Sequence, residues 1–173
     1  MQKKINCVTI DDEPHALELL REYIARFPEL HLQQEFNDAI SGREYLRGGK
    51  VDLLFIDINM PDLSGLKLVS DLVDRPMIIF TTAHKKFALE GFELAAVDYL
   101  LKPISPERFE KAVNKAIDYF NYKQASAVTK PEALFVYAEY RLVRIPFPDI
   151  GYIESLEDYI RIYIEGGKSW GWG

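Results

Sequence analysis

Apolar residues in the first 122 positions fall into two alternating patterns. Nearly unbroken apolar runs at 5–10, 51–56, 77–81 and 97–101 read as strands, and 30–36 alternates as a fifth. Between them, apolar positions recur every three or four residues, as on one face of a helix. The first such stretch opens on Pro14, whose missing N–H costs a first turn nothing. It carries Ala16, Leu17, Leu20, Tyr23, Ile24 and Phe27 and stops at Pro28. Asp38 is placed to cap a second helix through Ile40, Tyr45 and Leu46, which Gly48 and Gly49 end. Further helices are expected over 64–73 and 85–93. Pro103 and Pro106 introduce the last, over 106–122, with the stripe Phe109, Ala112, Val113, Ala116, Ile117 and Phe120.

Strands alternating with amphipathic helices predict an α/β unit over 1–122: a doubly wound, five-stranded parallel sheet covered on both faces. After Tyr122 the pattern changes. Residues 123–133 are mostly small, polar and aperiodic, and read as a linker. From Leu134 the spacing shortens towards two, through Val136, Leu142, Ile145, Ile150, Ile153, Ile160, Ile162 and Ile164. Residues 134–173 therefore read as short antiparallel strands, a truncated all-β region that buries too little to be robust alone.

Composition narrows the function classes. With 48% hydrophobic and 28% charged residues, the 173-residue chain is globular rather than disordered. A net charge of −6 argues against binding nucleic acid by bulk electrostatics. Cys7 is the only cysteine, which excludes an intrachain disulfide and a Cys-based zinc site; it is expected in the core. The first residues lack a signal-peptide pattern, and no apolar run approaches the ~20 residues that span a bilayer. A cytoplasmic setting without membrane contact is expected.

Ligands of such sheets sit at the carboxyl ends of the strands. Asp11 and Asp12 follow the first strand and Asp57 follows the third. If those strands are neighbours, three carboxylates converge, and their repulsion calls for a compensating cation. Mg²⁺ suits such a set, since it keeps several waters and leaves a position for phosphate oxygen. Lys102 ends the fifth strand and Thr82 the fourth, adding a cation and a hydroxyl to the same edge. A carboxylate so surrounded is a good covalent acceptor of a phosphoryl group, whose added charge the cations neutralise. Taken singly, Asp11 and Asp12 read as helix caps, Asp57 as a turn residue and Lys102 as a surface lysine. Their combination at successive strand ends is the specific signal.

These residues resemble those of two-component response regulators, whose receiver domain has the flavodoxin-like fold. Asp11-Asp12-Glu13-Pro14 resembles the receiver's acidic pocket. Asp57-Ile58-Asn59-Met60-Pro61-Asp62-Leu63-Ser64-Gly65 fits D-x-x-M-P-x-x-x-G around the phosphoacceptor. Thr82-Ala83 and Tyr99-Leu100-Leu101-Lys102-Pro103 fit the switch hydroxyl, switch aromatic, lysine and proline. The resemblance implies that Asp57 is phosphorylated by a sensor histidine kinase. It implies that Asp12, Asp57 and the Asn59 carbonyl ligate Mg²⁺, and that Asp11 acts through water. Lys102 and Thr82 would contact the phosphoryl group, Tyr99 would turn inward behind Thr82, and Lys102–Pro103 would be cis. Such a protein is a regulator that assists its own phosphorylation and dephosphorylation, rather than an enzyme. The segments Leu134-Phe135-Val136, Tyr140-Arg141-Leu142-Val143-Arg144-Ile145, Asp149-Ile150-Gly151-Tyr152-Ile153-Glu154-Ser155 and Asp158-Tyr159-Ile160-Arg161-Ile162 look like the start of a LytTR DNA-binding domain. They cover well under half of one, so DNA binding is expected of an intact regulator only.

Two other readings compete. A haloacid-dehalogenase-type aspartyl phosphatase also uses a strand-end nucleophile with Mg²⁺. It resembles D-x-D after the first strand, whereas here Asn59 holds the second position and the nucleophile follows the third strand. A phosphorylation-independent dimerisation module would do without Asp57 and Lys102, and both are present. Signal output is expected as a homodimer through the flank of helices 85–93 and 106–122. That flank bears Lys85, Lys86, Glu90, Glu93, Asp98, Glu107, Arg108, Lys111 and Lys115, mixed charges that suit a two-fold contact. His15, His31 and His84 are scattered, and ligation by them is not expected.

Overall fold

The computed structural model describes residues 3–84, 94–125, 132–138, 141–156, 159–164 and 168–171. Its first part runs β1 (Ile5–Ile10), α1 (Pro14–Ile24), β2 (Leu30–Phe36), α2 (Ala39–Gly48), β3 (Leu53–Asp57), α3 (Gly65–Ser70), β4 (Met77–Thr82), β5 (Asp98–Leu101) and α4 (Pro106–Ala125). The helix expected over 85–93 lies outside the described residues. The strands form one sheet in the order β2-β1-β3-β4-β5, all parallel. This is the doubly wound arrangement that the alternating pattern implies. β3 and β4 are buried along their whole length, which explains why they read as unbroken apolar runs.

The sheet's two faces carry separate cores. On one, Phe109 of α4 stacks on Phe55 at 5.4 Å and meets the Tyr23 ring of α1 at 5.2 Å. On the other, Leu54, Ile56 and Phe80 pack with Leu68 and Val69 of α3. Cys7 is buried, and burial pushes its thiol up to about 12, as an inert core residue. Asp38 caps α2 as expected, accepting the Ser41 N–H at 2.7 Å. No helix among the described residues is long and apolar enough to cross a membrane.

Two boundaries differ from expectation. α3 ends at Ser70 rather than 73, and Val73 is 97% exposed. The backbone leaves the helix at Asp71, ahead of Asp74-Arg75-Pro76, where the proline disfavours helical geometry in the residue before it. α4 instead runs on to Ala125, and Ala133 already belongs to the next strand, so both ends of the supposed linker 123–133 are structured.

The last part has five antiparallel strands: β6 (Ala133–Ala138), β7 (Arg141–Pro146), β8 (Ile150–Leu156), β9 (Tyr159–Ile164) and β10 (Lys168–Gly171). They form two sheets, β6-β7 and β8-β9-β10. The β6-β7 hairpin borrows a core. Leu142 is buried in the Phe109 cluster, and the Phe135 ring sits 5.4 Å from Tyr119 and 4.7 Å from Tyr122 of α4. The β8-β9-β10 sheet leaves Tyr152, Ile153 and Ile160 exposed. Protection from solvent should follow this ranking. Hydrogen exchange should be slowest in β1, β3 and β4, intermediate in β6-β7 and fastest in β8-β9-β10. Equal protection in β8-β9-β10 and β3 would contradict the packing argument.

Candidate functional site

Strand order brings the acidic residues together. β1 and β3 are neighbours in parallel register, with Ile10 beside Ile56, so Asp11 and Asp57 leave the sheet at the same level. Oxygen atoms of Asp11, Asp12 and Asp57 all lie within 4.8 Å of one another. Asp57 faces Thr81 across β3 and β4, and the long 3.5 Å contact from the Thr81 hydroxyl goes to Asp11 Oδ2. The loop after Asp57 is pinned at both ends. Ile58 N–H donates to the Thr81 carbonyl and Gly65 N–H to the Ile58 carbonyl, each at 3.0 Å. Asn59 N–H donates to Asp57 Oδ2 at 2.8 Å.

Gly65 has a steric reason. A side-chain carbon there would collide with the Asp57 carbonyl, and Gly65 begins α3 directly after its cap, Ser64. The glycine of the D-x-x-M-P-x-x-x-G pattern thus lets α3 start against the backbone of the strand-end aspartate.

Lys102 reaches across from β5. Its Nζ lies 2.9 Å from Asp11 Oδ2, 3.2 Å from Asp57 Oδ1 and 2.8 Å from Glu13 Oε1. Its backbone N–H donates to the Thr82 carbonyl at 2.8 Å, and Lys102–Pro103 is cis, as expected. Burial pushes the carboxyl groups of Asp11 and Asp57 up; Lys102 opposes this without cancelling it. Burial by itself lowers Lys102, but the hydrogen bonds from its ammonium to Glu13 and Asp11 prevail and hold it above the usual lysine range.

Thr82 and Tyr99, expected from the resemblance to act as switch residues, are held differently. The Thr82 hydroxyl accepts the His84 N–H at 3.0 Å within its own loop. The Tyr99 ring is already partly buried, stacked on Phe80 at 5.4 Å, and its hydroxyl has no partner among the described residues. Burial, with Asp98 nearby, raises the phenol well above its usual range.

A model of the response regulator receiver domain matches residues 7–114. The chain belongs to that family.

As a receiver it has many relatives. It is 36% identical over 129 residues to a response regulatory protein of Vibrio cholerae, covering 73% of this chain and 54% of that one. The chain thus spans little more than half the length of that relative. It is 30% identical to the transcriptional regulatory protein YpdB of Escherichia coli over 166 residues, covering 90% of this chain and 68% of that one. With the transcriptional regulatory protein BtsR of Escherichia coli it shares 29% over 170 residues, covering 95% and 71%. Among solved structures, the response regulatory domain of mrkE from Klebsiella pneumoniae is similar at 32% identity and TM-score 0.63, covering 68% of this chain and 98% of that one. The receiver domain of RcsB from Salmonella enterica, 21% identical with TM-score 0.60 over 65% of this chain and 87% of that one, shares the fold.

Sequence reasoning placed the receiver's Asp11, Asp12, Asp57, Thr82 and Lys102 at strand ends, and the sheet brings the three carboxylates and Lys102 together. It included Glu13 in the acidic pocket but assigned it no partner. Glu13 is the N-cap residue of α1, yet its side chain caps nothing and is spent on Lys102. Nor do Asp11 and Asp12 bond the α1 ladder, since Asp11 Oδ1 takes the N–H of Glu13 itself. A glutamate where Ser, Thr, Asp or Asn is favoured was the available signal.

The flank reading needs correction. Asp98 is not a solvated charge waiting for a second copy, and the half-buried Arg108 and Lys115 are already engaged with it. Asp98 is 2% exposed; Arg108 and Lys115 bind its two carboxylate oxygens at 2.6–3.0 Å. Burial would raise this carboxyl, but the hydrogen bonds from Arg108 and Lys115 hold it below the usual carboxylate range. Lys85, Lys86, Glu90 and Glu93 lie outside the described residues, and Glu107 and Lys111 are exposed.

Two measurements follow for this receiver. Gly65→Ala should cost about 1–3 kcal/mol in chemical denaturation, because backbone has to move. Asp98→Asn should cost about 2 kcal/mol at pH 7, by leaving two cations facing a neutral group. A lowered folded pKa stabilises above the ordinary carboxylate value of ~3.9, and that contribution is lost as pH falls through the folded value. The gap between wild type and Asp98→Asn should therefore close in acid, and a gap independent of pH would contradict the assignment.

Proposed function

We propose that this receiver accepts a phosphoryl group on Asp57 from the phosphohistidine of a sensor histidine kinase. An Asp57 carboxylate oxygen attacks phosphorus, the P–N bond breaks, and its electron pair returns to the imidazole. The observation that carries this reading is the placement of Asp11, Asp12 and Asp57 around one point, with Lys102 within 3.2 Å of Asp57. Three hard oxygen donors, two of them on carboxyl groups raised by burial, fit a divalent cation. Asp12, Asp57 and the Asn59 carbonyl would hold Mg²⁺ directly, and Asp11 through water. The ion supplies charge neutralisation for the incoming phosphoryl oxygens. Lys102 leaves part of its contact with Asp11 and Glu13 to bind the phosphoryl group. Thr82 gives up the His84 amide to do the same.

Output extends the reading. The β6–β10 region is taken as the beginning of a LytTR-type DNA-binding domain, in keeping with the similarity to transcriptional regulatory proteins. DNA contact then belongs to the intact regulator. A homodimer favoured by phosphorylation would use the α4 flank; of the charges assigned there, Glu107 and Lys111 are the exposed ones among the described residues.

The test is labelling by acetyl phosphate with Mg²⁺. Wild type should incorporate phosphate, and Asp57→Asn and wild type in chelator should not. Undiminished labelling of Asp57→Asn would refute the assignment.

A further inference from the structure

β5 lies at one edge of the sheet. Both peptide groups of Tyr99 are bonded to side chains. Its N–H donates to Asp98 Oδ1 at 2.9 Å, and its carbonyl accepts from Arg108 Nη2 at 2.9 Å. The same guanidinium holds Asp98 through both terminal nitrogens, at 2.6 Å and 3.0 Å. Arg108 thus grips the backbone of Tyr99 directly and, through Asp98, a second time. Lys115 adds charge at Asp98 Oδ2, 2.8 Å away, and no hydrogen bond from it to Tyr99 is seen.

This arrangement stands against a cost. The Tyr99 hydroxyl is buried without a partner among the described residues, so water would draw the ring outward. Stacking on Phe80 opposes that pull, and the charge-assisted bonds to the Tyr99 N–H and carbonyl fix the backbone from which the ring reaches Phe80. A planar, forked cation can bridge a carboxylate and a carbonyl at once; an ammonium on a flexible stem is a poor substitute.

We propose that Arg108 and Asp98 are positioning residues for Tyr99, holding its ring inward and so setting the fraction of molecules ready to bind the phosphoryl group. The proposal rests on the reading of Tyr99 as the switch aromatic. Apparent affinity for a ligand of the ready state scales with that fraction, so loosening the grip weakens binding at Asp57 without touching the site.

The experiment titrates the 173-residue chain with beryllofluoride and Mg²⁺, in wild type, Arg108→Lys, Arg108→Gln and Lys115→Met. Readouts are the binding midpoint, the tyrosine ring resonances and the melting temperature; the Tyr99 signals are those missing from Tyr99→Phe. Arg108→Lys keeps a positive charge beside Asp98, so it tests the fork even where Arg108→Gln does not fold. Expected for Arg108→Lys is a beryllofluoride affinity weaker by about threefold to tenfold, with free-state Tyr99 signals moved towards exposed tyrosine. Lys115→Met should lower the melting temperature but leave both Tyr99 and the affinity within about twofold of wild type. If Arg108→Lys changes only the melting temperature, the cluster is structural and the proposal is overturned on its own. If beryllofluoride binds wild type and the Tyr99 signals do not respond, the switch reading fails and takes the proposal with it.

Discussion

Bringing three carboxylates to one point is the constraint on which this receiver's architecture turns. Asp11 and Asp57 are withdrawn from water at the ends of adjacent buried strands, where ionisation is costly. The Glu13 and Asn59 amides and the Lys102 ammonium offset part of that cost, and Lys102 has to come from the far strand of the sheet. Its position depends on β5 keeping register with β4, where Thr82 lies beside Leu101 and the Lys102 N–H binds the Thr82 carbonyl. The register of the sheet is therefore a condition of the chemistry.

The same dependence explains why some parts were legible in the sequence and others were not. β1, β3 and β4 are buried almost throughout and mostly apolar, so their ends, and the candidate site residues at those ends, could be read directly. Asp57, Thr82 and Lys102 were singled out because each stands where an apolar run stops. The end of α3 was not legible, because Val73 continues the apolar spacing after the backbone has left the helix. The length of α4 was missed because its last turn, through Lys123 and Ala125, is polar and exposed, and periodicity is silent where nothing is buried.

Asp98, Arg108 and Lys115 show a different limit. Charged residues on helix and strand surfaces look alike in a sequence whether they face solvent or one another. Only the meeting of β5 with α4 distinguishes them, and that pairing is tertiary. Glu13 was obscured in the same way. Its neighbours Asp11 and Asp12 account for the acidic pattern, and its bond to Lys102 joins residues 89 positions apart.

The edge position of β5 has a consequence for assembly. A strand at the end of a sheet ordinarily offers free N–H and carbonyl groups as a template on which another strand can add. Here the Tyr99 groups are taken by Asp98 and Arg108, and the strand is only four residues long. The edge is obstructed at its centre by side chains. Two copies meeting along this flank would have to recognise each other through helix and side-chain surfaces, since continuing the sheet from one molecule into the next is blocked at its centre.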